Sequence, residues 1–151
     1  MDALRSATAE FATLLDLAAA RLPPLTDTAT RVDGHWSRKQ ILGHLIDSAS
    51  NNHQRFVRGQ HDHELVTPNY AQNKWVETER FNDRDWNELV QFWLAYNRHL
   101  LHIMSHAAPE YLDTVVRIGP NPPVSLEFVM IDYVDHLKHH LEQLGVHAAI
   151  E

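Results

Sequence analysis

The stretch from Asp132 to Leu144, DYVDHLKHHLEQL, constrains the fold more than any other part of this sequence. Tyr133, Leu137, Leu141 and Leu144 continue an apolar spacing begun by Leu126, Val129 and Met130. That spacing is helical, and a single apolar stripe on a helix has to be buried against neighbouring elements. Ser125 stands where an N-cap belongs and Gly145 where the helix should stop. His136 and His140 lie along the edge of the stripe. Residues four apart share a helix face and are separated along the axis by ~6 Å. Whatever this helix packs against must therefore accommodate two imidazoles at its border. His139 does not belong to this pair, because it shares the outer face with Asp132, Asp135 and Glu142.

Three further stripes can supply the partners. Leu4, Phe11, Leu14, Leu15, Ala18 and Leu22 predict a first helix from about residue 3 to 21, stopped by Pro23 and Pro24. Ser37 and Gln40 form a capping-box pattern that opens a second helix, which runs to about Arg58 with Gly59 as C-cap. Its stripe is Leu42, Leu45, Ile46, Ala49 and Phe56. A third helix starts near Asp83 or Arg84, runs to about His106, and carries Trp86, Leu89, Val90, Trp93, Asn97, Leu100, Leu101 and Met104 inward. The connection from Gln60 to Asn82 reads as polar and irregular, with a short helix near Gln72 to Val76. Loops of that length in small domains often serve as lids or binding loops. The last connection holds a β-like TVVRIG and then PNPP. Four amphipathic helices with little strand potential predict an all-α, up-down four-helix bundle with two long connecting loops. It should form a single domain over residues 1–151.

Composition removes several functions. The net charge of −7 argues against a nucleic-acid groove, which needs clustered positive charge. No window approaches the ~18 apolar residues of a membrane span, and the first residues lack the basic start of a signal peptide. The expected location is the cytoplasm. Cysteine is absent, which excludes disulfides, thiolate metal sites, covalent haem and a cysteine nucleophile. None of the histidines has Asp or Glu three residues earlier, so the Glu-x-x-His pattern of di-iron bundles is missing. The G-x-S-x-G, phosphate-loop and H-E-x-x-H signatures are missing too.

The excess is in histidine, of which there are 12. His102 and His106 form a second pair four apart, with His99 on the same side. These three oppose the Trp86–Trp93–Met104 stripe and should face water; were that face buried, the reason would be a homodimer interface. His35, His61, His63 and His147 fall in loops or the tail and are expected at the surface. On the second helix His44 flanks the stripe on one side and His53 on the other, and periodicity does not choose between them. For His136 and His140, spacing fits metal ligands and buried structural imidazoles equally well. The structural reading requires partners for two desolvated rings.

The runs WSRKQILGHLIDSASNNHQRF, YAQNKWVETERFNDRDWNELVQFWLAYNRHLL and DYVDHLKHHLEQL together resemble the DinB-like (YfiT-like) superfamily of metal-binding four-helix bundles. The resemblance spans about Leu4 to Gly145. It implies a metal site made by one histidine early in the second helix and an H-x-x-x-H in the last, which here are His44, His136 and His140. Three neutral imidazoles suit a divalent ion such as zinc, nickel or iron with positions left open. Family members with known activities are thiol-dependent transferases, so the resemblance implies that the metal activates a low-molecular-weight thiol for attack on a small-molecule electrophile. Bacillithiol, mycothiol and glutathione are such thiols. A non-catalytic metal-stabilised or small-ligand-binding stress protein, and a metal-assisted hydrolase, are the rival readings. Asp47, Ser48, Asn51 and Arg55 follow His44 by one and two turns on its side of the helix and are the candidate substrate-binding residues. An exposed polar face would explain them as well, and no catalytic residue is assigned.

Overall fold

Each apolar stripe lies on a helix in the computed structural model, which describes residues 2–32 and 35–147. The helices are α1 (Asp2–Arg21), α2 (Arg38–Arg58), the short α3 (Gln72–Glu79), α4 (Trp86–Ser105) and α5 (Leu126–Gln143). The capping box of α2 forms in full. The Ser37 hydroxyl accepts from the Gln40 amide at 3.1 Å, and the Gln40 side chain accepts from the Ser37 amide at 3.0 Å. Asp85 caps α4 and Ser125 caps α5, each side chain accepting from the amide three residues on. A 3-10 turn over Phe81–Asp83 delays the start of α4 to Trp86, slightly later than the sequence suggested. Residues 1, 33, 34 and 148–151 lie outside the described residues.

The long helices form a four-helix bundle whose neighbours do not follow chain order. Both α1 and α2 pack against α4 and α5, so α1 and α2 stand across the bundle from each other. This places α2 directly beside α5. The buried apolar residues form one contiguous cluster centred on Phe11, Leu42, Phe56, Trp93, Leu100, Met130 and Leu137. The Trp86 indole N–H closes one end by donating to the Leu22 carbonyl at 2.8 Å.

A small sheet accompanies the bundle, and the β-like TVVRIG supplies one of its strands. β1 (Glu64–Thr67), β2 (Val115–Ile118) and β3 (Val124–Ser125) form a three-stranded sheet in that order. β1 and β2 are parallel, with Leu65 opposite Val116, and β2 and β3 are antiparallel. β1 belongs to the stretch read as irregular. Its four residues gain their hydrogen bonds from a strand some fifty residues later, so nothing local announces them. The sheet stitches the two long connections together, and the buried Thr114 hydroxyl reinforces the seam by bonding the Gly59 and Asp62 carbonyls.

Two glycines matter for packing rather than for turns. Gly59 ends α2 in a right-handed conformation, and a Cβ there would lie 2.8 Å from Leu126 Cδ1. Gly43 lies beneath the ring of Phe81, where a Cβ would come within 2.1 Å of Cδ2. Only glycine lets the turn after α3 settle directly on α2, next to His44.

Candidate metal centre

The pairing of α2 with α5 settles the geometry that periodicity left open. His44 is on the face of α2 turned to α5 and is 1% exposed, while His136 and His140 border it half-buried. Ring centroids lie 5.2 Å apart for His44–His136, 4.8 Å for His44–His140 and 4.6 Å for His136–His140. The Nε2 atoms of His44 and His136 are 3.3 Å apart. One nitrogen from each of the three rings falls within a 4.8 Å group, and no fourth His, Asp or Glu among the described residues joins it. His53 goes elsewhere. Its Nδ1 is 2.9 Å from the Tyr96 hydroxyl and its ring meets that of His99.

Burial keeps the three imidazoles neutral. It lowers His44 to about 3 with help from the nearby His140 and His136, and it lowers His136 to about 4 with help from His140 and His139. His140 is lowered too, again by burial first, against an opposing hydrogen bond to Gln143. That bond joins His140 Nδ1 to Gln143 Oε1 at 2.9 Å. With the Nδ1 proton donated to the amide oxygen, the lone pair is on Nε2, which is the usual way an outer partner orients a ligating histidine. His44 Nδ1, by contrast, is buried with no hydrogen-bond partner. The Trp36 ring covers His44 at 5.0 Å.

The residues fit a divalent cation. Imidazole nitrogens bound at ~2.1 Å to a tetrahedral ion stand about 3.4 Å from one another, close to the 3.3 Å between His44 and His136. A metal would also compensate the cost of crowding three desolvated rings, for which the protein offers few hydrogen-bond acceptors. Zinc, nickel, copper and iron all accept such donors.

The four candidate substrate residues are divided by the structure. Ser48 and Arg55 line a cavity of about 180 Å³ that also includes Tyr70, Asp132 and His136. Asn51 turns its amide back to the Asp47 carbonyl at 2.9 Å, so it serves the helix. Asp47 is buried, and its Oδ2 lacks a partner. Burial, and then the adjoining Glu79 carboxyl on α3, push Asp47 up to about 9. His140 lines a different cavity of about 270 Å³, with Trp36, Asn73 and Gln143. The histidine group therefore stands between two hollows.

Sequence reasoning missed Tyr70, Trp36, Gln143 and Glu79. Gln143 was readable, since it lies three residues after His140 on the same face. Tyr70 and Glu79 were not, because the connection carrying them is placed by long-range pairing. Tyr133 is a core residue, packed on Phe11 and Phe56 and hydrogen-bonded to Asn97. His99, His102 and His106 are exposed as expected.

No curated protein matches the sequence significantly. Among solved structures, the chain is similar to YfiT from Bacillus subtilis, described as a probable metal-dependent hydrolase with an unusual four-helix bundle topology. The TM-score is 0.80 at 19% identity, covering 94% of this chain and 83% of that one, which is a likeness of fold. No described helix is long and apolar enough to cross a membrane. The family model of the DinB superfamily matches residues 1–144, nearly the whole length, and the chain belongs to that superfamily.

Proposed function

We propose that this protein is a divalent-metal-dependent transferase, with His44, His136 and His140 as metal ligands and a low-molecular-weight thiol as the nucleophile delivered to a small electrophile. The observation that carries the reading is the convergence of three neutral imidazoles with no fourth acidic or imidazole donor among the described residues. A structural site is normally closed by four protein ligands, whereas a reactive one leaves positions free. When bound, a divalent ion supplies a Lewis acid that favours thiolate over thiol.

The chain's own residues do the rest. Gln143 holds the His140 tautomer, Trp36 shields His44, and the two cavities beside His136 and His140 provide room for two reactants. The sequence contains no cysteine, so the sulfur must be imported. Small thiols are kept reduced in the cytoplasm, which is where this reading places the protein. A second reading, metal-assisted hydrolysis with water as nucleophile, is supported by the description of YfiT.

The test loads the protein with zinc, nickel or iron and offers bacillithiol, mycothiol, glutathione or coenzyme A with a model electrophile. Chelator-sensitive consumption of both partners is the expected result. Turnover of ester or amide substrates without thiol would establish the hydrolase instead. A loaded protein inert in both assays would leave the metal the role of pinning α2 to α5.

A further inference from the structure

We propose that the cavity beside His136 is a binding site for a small monocarboxylate, whose carboxylate is received by Arg55 and whose other end extends toward the histidine group. Arg55 is 7% exposed, and no carboxylate among the described residues is within ion-pair distance of it. Its guanidinium makes only two long hydrogen bonds, at 3.4 Å to Asn52 Oδ1 and 3.4 Å to the Pro68 carbonyl, and its Nε is buried with none. A buried cation without an anion is costly, and proteins normally pair such groups. Here the unpaired guanidinium lines a cavity open to ligand, together with Ser48, Tyr70, Asp132 and His136. Its planar fork is suited to a carboxylate.

The surroundings select charge and size. The site holds one cation, while Asp132 lines the same cavity. A second negative charge on the ligand would meet that carboxylate, so a monoanion fits better than a phosphate dianion. The volume of about 180 Å³ corresponds to roughly six waters, enough for a short chain. Tyr70 holds its proton, burial and the neighbouring Asp47 pushing it up to about 12, and so can donate to the bound oxygen. Val124, Val129 and Phe128 provide apolar wall for the carbon chain.

This deepens the proposed function, on which it rests for its purpose, but the binding step does not need the metal. The experiment titrates butyrate, butylamine and inorganic phosphate into the full chain by calorimetry, with metal bound and with chelator present. Saturable butyrate binding in both states, weaker phosphate binding and no butylamine binding are expected. Arg55→Gln should weaken butyrate at least about tenfold, the value of a hydrogen-bonded charge. Arg55→Lys, which keeps the charge but loses the fork, should weaken it severalfold and covers the case in which the glutamine variant does not fold. Asp132→Asn, at an exposed position, should tighten it by removing a like charge. Butyrate binding that requires metal and ignores Arg55→Lys would make the carboxylate a metal ligand and overturn the assignment, as would phosphate binding more tightly than butyrate. Loss of metal binding in the same samples, with butyrate binding intact, would sink the metal reading alone.

Discussion

Two helices of this protein carry histidines four residues apart, and only one pair meets a third imidazole. At the end of α4, His102 and the C-cap His106 make a tilted pair with ring centroids 4.3 Å apart, and both are exposed. On α5, His136 and His140 are 4.6 Å apart, nearly the same spacing, but half-buried and facing His44 of α2. The local geometry is equivalent. What differs is the neighbour: α2 brings a third imidazole and excludes water, whereas the outer face of α4 has bulk solvent opposite it. A helical histidine pair is therefore only half a site, and its meaning is decided by the helix across from it.

The sharpest way to break this comparison is to remove ligands from both places. His44→Ala, His136→Ala and His140→Ala should each weaken divalent-metal affinity by more than the ~100-fold that even a lost outer partner costs. His53→Ala, His102→Ala and His106→Ala should leave it unchanged. Metal content after purification and competition with a chromophoric chelator measure both sets. Equal loss in the His53 variant would mean that the wrong histidine of α2 has been chosen.

The next effect is acid sensitivity of the metal-free protein. Folding holds His44 near 3 and His136 near 4, below the ordinary 6.5 that the unfolded chain retains. The unfolded chain therefore binds more protons as the pH falls below about 6.5. Stability present at neutral pH is lost from there down toward the folded values. Each histidine in that window contributes a slope of about 1.4 kcal/mol per pH unit. Urea unfolding in chelator between pH 7 and pH 5 should show this slope, and His44→Gln should reduce it by about one proton. Replacing the outer histidines should not. An unchanged slope in His44→Gln would show that His44 is not held neutral by burial.

Much of this was readable from the chain, for identifiable reasons. The helices announced themselves because their stripes and caps are local, as Ser37–Gln40 and Ser125 demonstrate. The stripe of α5 put His136 and His140 at a border, but the sequence could not say what lay across it. Choosing His44 over His53 took family resemblance, since both flank the same stripe. Of the sheet, β2 was legible in TVVRIG, but β1 was missed because it is satisfied only by residues far along the chain. For the same reason Tyr70 and Glu79 could not be placed beside α2, and the candidate pair Ser48 and Arg55 could not be separated from Asn51. Nor did Gly43 look special, because its role is set by Phe81 arriving from a distant turn.

That glycine gives a smaller but cleaner test of what distinguishes the two faces. A methyl at position 43 would overlap the Phe81 ring, so the turn after α3 must move away from α2. Gly43→Ala should destabilise by about 1–3 kcal/mol, as overpacking usually does, despite the better helix propensity of alanine. It should also loosen metal binding, since His44 is the next residue. Chemical denaturation and metal titration of one preparation give both values. A more stable Gly43→Ala protein would mean that the Phe81 turn is not seated on α2.

The smallest effect is expected on the outer face of α4. His99, His102 and His106 are exposed and oppose the buried Trp86, Trp93 and Met104. Replacing all three with Gln should change stability by no more than about 0.5 kcal/mol per site, the usual range for surface changes. The same helix, however, presents Phe92 at 48% exposure, in ring contact with Tyr96, which in turn meets His53 and through it His99. If two copies of the chain pair through this face, the histidines would be buried in the dimer and their loss would cost several kcal/mol. Melting temperature would then rise with protein concentration, because association stabilises the folded form by mass action. Thermal unfolding of the wild type and the triple variant over a hundredfold range of concentration distinguishes the cases. Concentration-independent melting with a small shift keeps α4's pair a solvated one. A concentration-dependent loss would give it a neighbour after all, one supplied by a second chain rather than by α2.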